Sequence, residues 1–280
     1  MGFGIVTGGS IMVPALGMTL MYGSSRFLNF AYGDFMTLAA FITISFASFL
    51  PLPVAIVLGV VALACFGPLV QRVVFAPLTG RNSLVLLVTS LGLSFVILNC
   101  IRAIWGTESR TLSTPKSLTH GMSVGPFLVT PLELIILVSA LVISGLVTLL
   151  LYKTDLGIKI RATAESPGLA QTSGVAVGQL RTATWALASG LAGLGGILFA
   201  LRVAFTSDFG FSLLLTVAAA IIVGGLGSPV GAVVGALVIG ILSEVSTEWI
   251  DPSLKSGVAF VALAVMMLVR PHGLFGRAEA

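Results

Sequence analysis

Few residues in this chain have the types and spacing that acid–base, metal or nucleophilic chemistry needs. Its two histidines, His120 and His272, fall at opposite ends of the topology the apolar pattern implies, so they do not share a site. No H-E-x-x-H, G-x-S-x-G or Walker A pattern occurs, and no metal or cofactor is expected. Carboxylates deep inside apolar runs are scarce: Glu133 and Glu244 sit near the ends of theirs. That argues against an ion-coupled transporter, which needs ionisable groups near mid-membrane. Two stretches remain. Tyr22–Phe41, YGSSRFLNFAYGDFMTLAAF, interrupts its apolar context with Arg26, Asn29 and Asp34 and loosens it with Gly23 and Gly33. Either it is a broken element lining a pathway, with Asn29 and Asp34 facing that pathway, or it is a turn in which one of the two caps the next helix. The other stretch, 153–181, carries Lys153, Lys159, Arg161 and Arg181 against Asp155 and Glu165 between long apolar runs. Inside it Ser166 can cap, Pro167 suits a first helical position, and Gly174 can end the helix left-handed. Those about two turns are too short to stand alone in water, so they must pack on their own membrane domain or on a partner. The plainer alternative is a solvated basic loop that only sets topology.

The elements around these stretches follow from composition. Of 280 residues, 57% are hydrophobic and 9% charged, with mean hydropathy +1.13. A soluble domain carries about 25% charged residues. Too few charges are present to cover a water-exposed surface, so the chain reads as an all-α polytopic membrane protein. It is expected to form one integrated domain over 1–280. Spanning helices need roughly 20 apolar residues. Candidate runs lie near 3–23, 34–50, 53–71, 84–101, 131–152, 182–202, 213–226, 229–247 and 256–270, giving eight or nine segments. The 213–226 run is read as half a crossing or part of a broken helix. The first run lacks a basic leader and is expected to be retained. Cys65 and Cys100 fall inside apolar runs and read as small packing residues, not a disulfide or metal pair.

The net charge of +4 does not call for nucleic acid, because Lys and Arg gather in cytoplasmic loops of membrane proteins. With 153–181 cytoplasmic and nine crossings, the N-terminus lies outside and the C-terminus inside. The 103–130 loop then becomes the largest external segment. Small residues recur at helical spacing: Ala188, Ala192, Gly196 and Ala200, then Gly227, Gly231 and Gly235. Such stripes bring helix backbones close in lipid, either within one subunit or against a second.

Five motifs in order resemble one family. They are MYGSSRFLNFAYGDFMTLAAF (21–41), with its N-F-A-x-G-[DE] core at Asn29 to Asp34, and FAPLTGRNSLVLLVTSLGLSFVILN (75–99). Next comes a G-x-x-x-R-A…E-x-x-x-x-A-x-x-x-G-V pattern at Gly157, Arg161, Ala162, Glu165, Ala170, Gly174 and Val175. The last are AAAIIVGGLGSPVGAVVGALVIGILSE (218–244) and RPHGLFG (270–276). Together they cover most of the chain, which resembles the LivH/LivM-type permeases of branched-chain amino acid ABC transporters, more closely the LivH branch.

The resemblance implies an ATP-driven importer in the inner (plasma) membrane of a prokaryote. An external substrate-binding protein delivers the substrate, and a second, LivM-like permease subunit completes the pathway. Cytoplasmic ATPase subunits supply the hydrolysis, and the seven residues from Gly157 to Val175 become the ATPase-coupling loop. A zwitterionic amino acid needs its charged ends compensated in the membrane. Asn29, Asp34, Thr89, Ser90, Asn99 and Thr216 are the polar candidates for that pathway. The same class of importer for urea, amides or other amino acids is also consistent with the motifs. An ion-driven secondary transporter or a membrane enzyme are the readings from other classes.

Overall fold

The computed structural model describes residues 2–112, 122–124, 127–249, 251, 255–270 and 273–276. The helices are α1 (Gly2–Ser25), α2 (Ala31–Ala47), α3 (Leu52–Val70), α4 (Ser83–Trp105), α5 (Pro131–Lys153), α6 (Asp155–Glu165), α7 (Pro167–Thr172), α8 (Val177–Ala200), α9 (Phe209–Gly224), α10 (Pro229–Val245) and α11 (Lys255–Val269). A two-stranded antiparallel ribbon, β1 (Met122–Val124) with β2 (Phe127–Val129), departs from the all-α expectation inside the long 103–130 loop. Met122 pairs with Val129 and Val124 with Phe127.

Each of the nine apolar runs lies on a helix, but they are not equivalent as spans. Among the described residues, 5 helices are long and apolar enough to cross a membrane, or up to 6 if α9 and α10 count as one bent pair. That is fewer than the eight or nine segments expected from the apolar runs. Helices α2 and α11 are apolar but shorter. The pair α9–α10 is bent by 120° at the Gly225–Ser228 break, which matches the broken helix expected there. Gly225 and Gly227 adopt φ of 109° and 82°, which only glycine takes without strain.

Local chemistry explains the helix ends. Thr130 and Glu133 form a reciprocal capping box at the start of α5. Asn82 accepts from the Leu84 amide at the start of α4, and Ser228 accepts from the Gly231 amide at the start of α10. Pro68 removes a donor within α3, and three residues later the helix widens into a π-turn at Gln71–Phe75. That turn seats Phe75 against Phe27 and Trp185, with ring centroids 5.3 Å and 5.1 Å away.

The layers follow from burial. Helix α1 is 89% buried over its apolar stretch and α8 72%, against 28%, 22% and 28% for α3, α4 and α5. So α1 and α8 form the centre, and α3, α4 and α5 turn most of their surface outward, as lipid-facing helices do. The small-residue stripes make the close approaches inside this chain. Ala188, Ala192 and Ala200 are buried, and Gly196 faces the backbone of Met36 on α2. Gly231 and Gly235 lie on Gly224 and Ala220 of α9, whereas Gly227 belongs to the turn, where an added Cβ would meet nothing within 4 Å.

Side-chain contacts define two ends of the bundle. At one end lie α6, α7, the last turn of α1 and the 76–82 turn: Arg26 reaches the Ala164 and Glu165 carbonyls, and Arg181 Nη1 donates to Thr79 Oγ1 at 3.2 Å. At the other, ribbon end, Gly4 packs on Ile241, Arg102 pairs with Asp208 at 2.6 Å, and Lys255 pairs with Glu244 at 2.9 Å. Residues 274 and 275 return to the α9–α10 turn, donating to the Val223 and Gly224 carbonyls at 2.9 Å each.

Candidate functional site

The 153–181 stretch folds into more helix than its spacing predicted. The short helix stands as expected in outline, with Pro167 at its first position and Gly174 at φ 82°. The Ser166 side chain makes no capping bond, although Ser166 is the cap residue. Val175 N donates to Ala170 O at 3.1 Å, closing the helix in the manner of a Schellman turn. The unforeseen element is α6, eleven residues long, capped by Thr154 through the Gly157 amide at 3.1 Å.

Helix α6 is bolted to the end of α5. A Cβ on Gly157 would run into the backbone of Leu150 and Leu151, so the corner between the two helices is closed against anything larger than glycine. Arg161 turns back instead of outward: its Nε donates to Leu151 O at 3.0 Å and its guanidinium lies 4.5 Å from the Tyr152 ring centre. It satisfies a carbonyl at the α5 terminus and complements that helix's negative end. Gly157, Ile160, Thr163 and Ala170 face the chain. Ala162, Glu165, Lys159 and three apolar residues, Leu156, Ile158 and Leu169, face out. Leu169 is 70% exposed.

The polar pathway candidates divide into two groups. Asn29, Asp34 and Ser90 are buried and adjacent at the start of α2. Asn29 Oδ1 accepts from the Ala31 amide at 3.0 Å, and its amide nitrogen lies 3.2 Å from Met21 Sδ. Ser90 Oγ accepts from Phe30 N at 3.2 Å and donates to Leu87 O at 2.7 Å. Asp34 lies between α2 and α4 beside Ser94, and its Oδ2 has no hydrogen-bond partner among the described residues. Asn29 thus closes the turn before α2, whereas the cap residue of α2 is Phe30, which makes no side-chain capping bond. Thr89, Asn99 and Thr216 stand apart. Thr89 bonds Val85 O at 2.8 Å, Asn99 bonds Phe95 O at 2.7 Å, and Thr216 bonds Ser212 O at 3.4 Å, each along its own helix.

Three features are not evident from the sequence. Ser94 lies one helical turn from Ser90 on the buried face of α4, and that i, i+4 spacing is the signal that could have found it. Arg202 is largely buried at the ribbon end, 3.7 Å from Glu133 and 3.4 Å from Ser10 Oγ. Burial pulls its guanidinium below the usual value, while Glu133 and Glu244 hold it up. Arg26 is the third, with a left-handed backbone at φ 56°. Cys65 and Cys100 are free thiols on the outer face of the bundle, not buried packing residues. His120 and His272 lie outside the described residues. Among the described residues no cluster of His, Cys, Asp and Glu could hold a metal ion.

Comparison with known proteins bears directly on this arrangement. The chain is 29% identical to the probable branched-chain amino acid transport permease protein LivH of Methanocaldococcus jannaschii, over 97% of this chain and 90% of the relative. It is 25% identical to the high-affinity branched-chain amino acid transport system permease protein BraD of Pseudomonas aeruginosa, over 99% of this chain and 94% of BraD. LivH of Escherichia coli K12 gives 25% identity over 99% of this chain and 94% of that protein. Among solved structures, PsaBC from Streptococcus pneumoniae in complex with Fab shares the fold. Its TM-score is 0.53 at 14% identity, over 98% of this chain and 93% of that one. The family model described as branched-chain amino acid transport system / permease component matches residues 1–269, and the chain belongs to that family.

Proposed function

We propose that this chain is the membrane-spanning subunit of an ATP-driven ABC importer for leucine, isoleucine and valine, and that α6 and α7 are the segment on which its ATPase partners act. The observation that carries the second part is the two-sidedness of that segment. It is locked to the chain through Gly157, Ile160, Thr163 and Ala170, yet presents Leu156, Ile158 and Leu169 to the exterior. Exposed apolar side chains on a basic, water-side segment suit a partner's groove. The substrate class rests on the names of the relatives, all branched-chain amino acid permeases over nearly their whole length.

In this reading the end bearing α6 and α7 is cytoplasmic and the ribbon end faces outward, where a binding protein delivers substrate. The N-terminus is then external and the C-terminus cytoplasmic. Support comes from the positive charge of 153–181 and from α1 beginning at the ribbon end and finishing beside α6. A second permease subunit, LivM-like, completes the pathway, and Asn29, Asp34 and Ser90 are the polar groups nearest to serving it. Gentle purification from native membranes, with every co-purifying chain identified by mass spectrometry, tests the proposal. A Walker-motif ATPase and a second multi-span permease are expected. Recovery of the chain alone, with ion-driven uptake in reconstituted vesicles, would overturn it.

A further inference from the structure

Arg26 stands where the end of the most buried helix meets the end of α6. Its amide closes α1 by donating to Tyr22 O at 2.7 Å, and its backbone then turns left-handed at φ 56°. It is the one non-glycine residue with positive φ among those described. Glycine or asparagine takes this position at a helix end with the least strain. An arginine held there implies that its side chain has work which outweighs the backbone cost. That work is visible: Nη2 donates to the carbonyl oxygens of Ala164 and Glu165, the latter at 3.4 Å. These are carbonyls of the last turn of α6, the position where helices turn to side-chain donors. A cation at this end also complements the helix dipole.

The other side of Arg26 is equally fixed. Ser25 Oγ accepts from Trp185 Nε1 at 3.1 Å, and Phe27 stacks on Phe75. Two residues further on, Asn29 closes the turn into α2. The Arg26 side chain therefore ties the C-terminus of α6 to the end of α1, and its chain neighbours Ser25, Phe27 and Asn29 tie that end to α8, to the π-turn after α3 and to the start of α2.

We propose that Arg26 is a positioning residue for coupling: it transmits displacement of α6 to α1 and to the start of α2. The proposal rests on the reading of α6 and α7 as the ATPase-contacting segment. Gly157 and Arg161 hold the front of α6 to α5, and Arg26 grips its rear, so a push on α6 reaches α1 through Arg26.

The test uses the complete importer with its ATPases, reconstituted in proteoliposomes and supplied with its binding protein and radiolabelled leucine. Arg26→Gly and Arg26→Asn both suit a left-handed backbone and both delete the guanidinium. Each is expected to assemble with the ATPases and to unfold within about 2 °C of the parent. Leucine moved per ATP hydrolysed should fall roughly 3- to 30-fold, the range that residues linking two sites command. Arg26→Lys should recover part of the loss. A parental transport-to-hydrolysis ratio in both variants overturns the proposal. So does a larger fall in unfolding temperature or loss of the ATPases, since Arg26 would then be structural or a docking residue. Leu169→Asp, run in parallel, separates the two readings. If it disturbs ATPase association while the Arg26 variants couple normally, only the role of Arg26 fails. If neither change matters, the placement of the ATPases on α6 and α7 fails with it.

Discussion

Gly157→Ala is the sharpest test of how the α5–α6 corner is built. In most helical positions a glycine-to-alanine change stabilises by about 0.5–1 kcal/mol, because alanine loses less backbone freedom on folding. At Gly157 the new Cβ meets backbone atoms of Leu150 and Leu151, and backbone at a helix end cannot rotate aside as a side chain can. Helix α6 must back away from α5. Overpacking of this kind costs roughly 1–3 kcal/mol. Withdrawal also stretches the 3.0 Å bond from Arg161 to Leu151 O, a charged hydrogen bond worth about 1.5–3 kcal/mol before solvent exposure discounts it. With the propensity gain subtracted, α6 should be weakened by about 2 kcal/mol. Its amide protons should then exchange roughly 30-fold faster, read by mass spectrometry on the detergent-solubilised protein. Gly168, on α7 of the same segment, has nothing within 4 Å of the point where an added methyl would sit, so Gly168→Ala is the matched control and should exchange at the parental rate or slower. Equal protection of α6 in the two variants would refute the packing argument. Faster exchange spread over α1 and α8 would refute its locality.

The remaining predictions concern the core and the ribbon end. Gly196→Ala drives a methyl into the Met36 backbone where α8 crosses α2, whereas Gly145→Ala meets nothing. The first should lose roughly 1–3 kcal/mol and the second lose nothing, read as unfolding temperatures in detergent. Arg202→Met removes the cation that faces Glu133 and should cost about 3 kcal/mol, because it leaves that carboxylate without its ion-pair partner in a part-buried site, whereas Glu244 keeps Lys255. Adding Glu133→Gln, which removes the charge and keeps a capping-box side chain, should recover much of that cost; a double-mutant cycle showing independent effects would contradict the pairing.

Much of this chain was legible without coordinates because its determinants are local. The scarcity of charge settles the membrane class, since no fold can cover a water-exposed surface with 9% charged residues. Pro167 and Gly174 marked α7, and the glycines of 224–229 marked the break between α9 and α10, because those residues restrict or free φ whatever surrounds them. Helix α6 was hidden for a physical reason. DLGIKIRATAE is weakly apolar and begins at a glycine-containing turn, so its stability comes from docking on α5 and not from its own propensity. The six polar candidates were equal in composition, and tertiary packing split them: Asn29, Asp34 and Ser90 were carried into one buried site, while Thr89, Asn99 and Thr216 were left bonding to their own helices. The small-residue stripes likewise named close helix contacts but not the partners, which the fold supplies from within the chain. Arg26 is the furthest from sequence logic. Its role depends on residues 138 and 139 positions away, and no local pattern specifies a contact at that separation.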